Sequence, residues 1–174
     1  MGNTETAYFA MGCFWGAERL FSGLVGVQQT EVGYMGGHLE NPSYQQVCTD
    51  TTGHAETVRV VFNPEQVTYR LLLEVFFSHH NPTTRNRQGA DVGSQYRSQL
   101  FPTTSDQEHT ALRVLLELKN QILDLYGAEP VTEISAAPQL PVFYPAEDYH
   151  QRYLEKNPFG YCSIKRSEER RVGK

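Results

Sequence analysis

The chain has 174 residues, of which 39% are hydrophobic and 20% charged, with a formal net charge of −5. That length supports one domain with a sizeable core but not two, and the composition is globular rather than disordered. The acidic balance excludes the clustered basic face of a nucleic-acid binder, and no apolar run approaches a membrane span.

TAYFAM (6–11) predicts a short strand that runs straight into Gly12 and Cys13. From there Phe14, Ala17, Phe21 and Leu24 keep helical spacing. VQQTEVGYMGG reads as extended and ends in a flexible glycine pair, and residues 37–53 as a long polar loop of the kind that often carries function. ETVRVVF alternates as a strand closed by Asn63 and Pro64, and TYRLLLEVFFSHH, apolar almost all round, predicts a buried helix. His79 and His80 would end it, where a positive charge suits the helix dipole. Residues 81–94 form a second long loop before a strand QYRSQLF. Ser105 and Glu108 make a capping-box pattern ahead of a helix with Ala111, Leu115, Leu118, Ile122 and Leu125 on one face and Gly127 as its stop. VTEIS is the last expected strand, and the chain after Pro138 reads as irregular apart from a short helix near PAEDYHQRYL. The order β-α-β-β-α-β-α-β predicts an α+β fold, a two-layer sandwich of a mostly antiparallel sheet with helices on one side and a ferredoxin-like, split βαβ core.

Residues 1–165 read as a single catalytic domain. The closing RSEERRVGK (166–174) breaks from the text before it and matches the translation of a common sequencing-adapter start. It is expected to be a non-native tail, left out of fold reasoning, with the natural C-terminus missing. The opening MGNTET fits the loose N-myristoylation pattern, a match short enough to arise by chance. Three scattered cysteines, Cys13, Cys48 and Cys162, do not make a secreted disulfide framework, so a reducing cytoplasm is the expected setting.

Cys13 sits where a strand hands over to a helix, and a helix N-terminus favours a thiolate, pulling the thiol below its free value. A buried structural cysteine is the alternative reading. Phe14 and Trp15 are core residues, or the walls of a small apolar pocket beside that thiol. Glu56, in GHAETV, is a solvated strand residue or a partly buried acid ready to donate a proton. The His54-x-Glu56 pair lacks the Pro-Cys-x-x-Cys of a zinc deaminase, so no metal is expected. Tyr44 and Tyr96 lie in or beside the two long loops, and two phenols converging there would bind a neutral oxygen. Asp91 reads as a turn residue, Cys48 as an inert small side chain, and Cys162 as an incidental thiol or one able to swing onto an oxidised partner.

Taken in order, GCFWG, NPSYQQVC, TGHAE, GSQYRS, AEDYHQRYL and KNPFGYC resemble the peptide methionine sulfoxide reductase A family over nearly the whole chain to Cys162. The resemblance implies thiol-dependent reduction of methionine S-sulfoxide, free or in proteins, as antioxidant repair. Cys13 would attack the sulfoxide sulfur, Glu56 would protonate the departing oxygen, and Tyr44 and Tyr96 would hold it. Phe14 and Trp15 would enclose the S-methyl group, and Asp91 would help fix substrate or water. Cys13 is then left as a sulfenic acid, and Cys162 would convert it to a disulfide recycled by thioredoxin or a small dithiol. No cofactor, metal, nucleic acid or membrane partner is implied, and the chain is expected to act as a cytoplasmic monomer. Cys48 is not implied as a resolver. A cysteine hydrolase with Cys13 as nucleophile and His150 as base, and a non-catalytic thioether-binding module, are the rival readings.

Overall fold

Alternation along strand β1 (Glu5–Met11) sets up two buried faces in the computed structural model, which describes residues 3–137 and 139–161. Ala7, Phe9 and Met11 join one cluster with residues of helices α1 (Phe14–Ser22) and α3 (Tyr69–Ser78). Tyr8 and Ala10 face the other way, with Met35, Ala55 and Phe101. Phe9 is the centre of the larger cluster: its ring lies 4.5 Å from Phe21 of α1 and 5.7 Å from Phe76 of α3. Each such fully buried ring contributes about 2–3 kcal/mol by leaving water.

β1 is flanked antiparallel by β3 (Ala55–Phe62) and β6 (Ser98–Phe101), and β3 is flanked antiparallel by β2 (Val27–Met35). Two-residue strands close the sheet: β7 (Glu133–Ile134) runs parallel to β6, and β8 (Tyr144–Pro145) antiparallel to β2. The order is β7-β6-β1-β3-β2-β8, a mixed α+β sheet in which β6–β7 is the parallel pair. The second face is covered by an extended strap ahead of β8, whose Phe143 stands 5.3 Å from Tyr8. Gly33 of β2 lets it lie close, since a Cβ there would fall 2.6 Å from the Phe143 ring and collide with the Tyr144 carbonyl.

Several elements differ from the sequence-based expectation. The loop 37–53 contains helix α2 (Tyr44–Cys48), whose Ser43 and Gln46 form a complete capping box. Residues 81–94 contain a tight hairpin, β4 (Arg87–Gln88) with β5 (Asp91–Val92), and Ser94–Tyr96 form a 3₁₀ turn, so the following strand begins at Ser98. Helix α4 (Ser105–Tyr126) is capped by Thr104, which accepts from Gln107 N–H; Ser105 is already helical, and Glu108 instead accepts the Ala137 N–H at 2.9 Å. Its inward face is Gln107, Ala111, Val114 and Ile122, with Leu115 and Leu118 partly buried against the core as expected, while Leu125 is exposed. Gly127 does stop it, in the left-handed region at φ 73°. Helix α3 exposes Leu71 and is not buried all round. His80 carries no positive charge: burial pushes it down to about 4, with Nδ1 2.6 Å from the Phe76 carbonyl and Nε2 2.8 Å from Ser98 Oγ. The C-terminal segment carries a 3₁₀ turn, Asp148–His150, and one short helix, α5 (Tyr153–Lys156).

Candidate active site

The site is assembled where β1 ends. Gly12 adopts φ 99°, a left-handed conformation that L residues avoid, and this turn delivers Cys13 to the N-cap of α1. The Cys13 side chain makes no cap hydrogen bond. The first helical N–H, that of Phe14, is taken by Glu56 Oε1 at 3.1 Å, across 42 residues of sequence.

Glu56 is in the core for a reason of parity. In β3 the alternation that turns Val58, Val60 and Phe62 towards the helices turns Glu56 the same way, and it is 2% exposed. Its Oε2 meets no hydrogen-bond partner among the described residues. Burial, helped by the nearby Asp91 charge and opposed by the Phe14 N–H, pushes the carboxyl up to about 8, so it is largely protonated at neutral pH.

The expected acidification of Cys13 is reversed. The N–H groups of Trp15 and Gly16 do favour the thiolate, but burial first, and then the Glu56 charge, push the thiol well above its ordinary range. Two protons therefore occupy the resting pair, one on sulfur and one on the carboxyl.

Tyr44 opens α2 and Tyr96 ends the 3₁₀ turn. Burial, and next the Glu56 charge, hold both phenols above their usual range, so both remain O–H donors. Cys48, the last residue of α2, is an exposed free thiol rather than a packed small side chain. Asp91 lies on the β4–β5 hairpin, and its Oδ2 accepts from the Tyr161 hydroxyl at 3.2 Å. Cys162 lies outside the described residues, one position beyond that contact. The exposed Asp50 accepts from the N–H and hydroxyl of Ser94, tying the end of α2 to the turn that carries Tyr96.

Phe14 is fully buried, its ring 5.7 Å from Tyr34, 6.5 Å from Tyr44 and 5.3 Å from His150. Trp15 stacks on Tyr153 at 3.8 Å, and its Nε1–H donates to His150 Nδ1 at 3.0 Å. That bond makes Nδ1 the acceptor and places the ring proton on Nε2, so His150 offers no free base to Cys13, which removes the structural support for the hydrolase reading. The C-terminal segment thus supplies His150 and Tyr153 against Trp15 and Glu147 against Tyr34 and Tyr44; of these the sequence reading names only His150, as the base of the hydrolase alternative. Glu147 accepts from the Tyr34 hydroxyl at 2.8 Å and the Tyr44 N–H at 2.9 Å. Among the described residues no cluster of three or more His, Cys, Asp or Glu is placed to hold a metal ion, and no helix is long and apolar enough to cross a membrane.

The sequence profile of the peptide methionine sulfoxide reductase family matches residues 5–173. The chain belongs to that family. A mitochondrial peptide methionine sulfoxide reductase of Mus musculus is 51% identical over 161 residues, 92% of this chain and 68% of that protein. Peptide methionine sulfoxide reductase MsrA of Deinococcus radiodurans is 53% identical over 159 residues, 91% of this chain and 75% of its own. Among solved structures, methionine sulfoxide reductase A of Corynebacterium diphtheriae superposes with a TM-score of 0.86 at 40% identity, covering 93% of this chain and 79% of that one.

Proposed function

We propose that the chain reduces methionine S-sulfoxide to methionine with Cys13 as the attacking thiol and Glu56 as the proton donor. The observation that carries this reading is the buried, protonated Glu56, held beside Cys13 by the Phe14 N–H with its second oxygen unpartnered. A sulfoxide oxygen is a poor leaving group unless protonated, and a neutral carboxyl is the acid such a site needs. Tyr44 and Tyr96 hold the oxygen, and the aromatic side chains around Phe14 and Trp15 receive the S-methyl group.

In the first half-reaction the Cys13 sulfur attacks the substrate sulfur, Glu56 passes its proton to the oxygen, and the thiol proton returns to Glu56. The S–O bond breaks, the oxygen is delivered to the Cys13 sulfur as the new sulfur–sulfur bond breaks, and methionine departs, leaving Cys13 as a sulfenic acid with no net change in protons. Cys162 then attacks the sulfenic sulfur, releasing water and forming a Cys13–Cys162 disulfide. Thioredoxin or a small dithiol restores both thiols by exchange. Asp91 fixes the substrate or a water, and no cofactor or metal is required. The setting is a cytoplasmic monomer engaged in protein repair under oxidative stress, with residues 1–165 as its catalytic domain. A ferredoxin-like core is supported by the antiparallel order β6-β1-β3-β2, with α1 and α3 packed on one face.

The test is to incubate the reduced protein with separated S and R methionine sulfoxide, without added reductant, and count methionine and remaining thiols. One equivalent or more of methionine from the S epimer, none from C13S, and two thiols lost per methionine in the parent are expected. C162S should form one equivalent without a disulfide. Binding without product would leave a thioether-binding module, and no methionine from either epimer would overturn the assignment.

A further inference from the structure

The least self-supporting part of the site is α2. It is a single five-residue turn, far below the length at which a helix holds itself, yet it carries Tyr44. Its capping box satisfies the N–H groups of Gln46 and Ser43 internally. The Tyr44 N–H is instead taken by Glu147 Oε2, 103 residues away. The other oxygen of the same carboxylate accepts from Tyr34, whose buried hydroxyl sits on β2 opposite Glu56. One side chain therefore joins the sheet, the short helix and the C-terminal segment.

We propose that Glu147 is a positioning residue for the oxygen-holding phenol of Tyr44. The assignment rests on the reading of Tyr44 given above. Glu147 acts by reach: its two oxygens fix the Tyr44 backbone against Tyr34, while the rings of Phe14 and His150, 6.5 and 4.3 Å from the Tyr44 ring, confine the side chain. Without the clasp, α2 is free to shift and the phenol loses its aim at the substrate oxygen.

Reach and charge are separable. In E147Q the amide oxygen can accept from Tyr44 and the amide N–H₂ can donate to the Tyr34 oxygen, so the bridge survives without charge. E147D keeps the charge but withdraws it by one methylene. With S-sulfoxide and a dithiol reductant, E147D should lower kcat/KM about tenfold, the factor that a lost hydrogen bond of ordinary strength commands, and E147Q should stay within about threefold. In the Y44F background E147D should cost nothing further, which a merely structural role would not give. Multiplying losses, an E147Q as impaired as E147D, or an unimpaired E147D beside an impaired Y44F would each overturn the assignment of Glu147. A Y44F as active as the parent would overturn the underlying role of Tyr44 and this assignment with it.

Discussion

E56Q should make the protein less sensitive to alkali while slowing its chemistry by orders of magnitude. Glu56 keeps its proton in the fold up to about pH 8, against an ordinary 4.5, and that displacement corresponds to about 5 kcal/mol. Because the folded chain holds a proton that the unfolded chain has lost, folding takes one up between these two values. The contribution is therefore fully present below about pH 4.5, declines as pH rises, and is gone above about pH 8. Glutamine can still accept the Phe14 N–H through its carbonyl oxygen but cannot ionise. Urea denaturation of both proteins at several pH values from 4.5 to 9 isolates the Glu56 contribution, since every other titrating group is common to the pair. The parent should lose about 4–5 kcal/mol more than E56Q across that range. Activity at pH 7 should fall by about 10²–10⁴, the usual worth of a general acid. Parallel stability curves would show that Glu56 is ionised in the fold and would refute the proton-donor argument at its base.

G12A forces a side chain into φ 99° and should destabilise the chain by about 1–2 kcal/mol in chemical denaturation, with a loss of kcat because the turn presents Cys13. T104A should cost about 1 kcal/mol by uncapping α4, whereas S105A should lie within about 0.5 kcal/mol of the parent in the same assay. D50A, which frees Ser94 and hence the turn bearing Tyr96, should lower kcat/KM while leaving the denaturation midpoint nearly unchanged, since the contact is exposed.

Where the sequence carries a period, the fold was legible. Strands β1 and β3 and helices α1, α3 and α4 follow from alternation and three-to-four spacing, and Gly127 ends α4 as its position suggests. The shorter pieces were not, because one turn of helix or two residues of strand leave no periodic trace. The helix α2 did leave a signal, the Ser43-x-x-Gln46 capping box, hidden inside a polar stretch that reads as loop. At α4 the same rule misled by one residue, since Thr104 and Ser105 are adjacent and both are good caps.

The candidate site divides along similar lines. Cys13 was visible from its neighbours; the sequence reading left Glu56 open between solvated and partly buried, and the parity it shares with Val58 and Val60 was the signal that decides it. The raised thiol was not legible: a helix N-terminus argues for a thiolate, and only the depth of burial and the nearness of Glu56 reverse the sign. Glu147 and Tyr153 were hidden for a different reason. Their partners lie more than a hundred residues away, and no local pattern announces a contact of that span.

The strap that carries Phe143 along the sheet gives this enzyme two thresholds of unfolding. Glu147, His150 and Tyr153 lie on an edge segment joined to β2 by two residue pairs, Gly33 with Pro145 and Tyr34 with Tyr144, and by Ala146 and Gln151 on the Val32 backbone, and to α1 through Trp15 and Glu18. Cys13 and Glu56, by contrast, belong to the central strands and their helix. As the edge of the sheet, this segment is expected to open before the central strands, leaving a folded scaffold with its thiol and acid in place and its aromatic enclosure gone. Mild denaturant should thus extinguish turnover while the backbone amides of β1 and β3 stay protected from exchange.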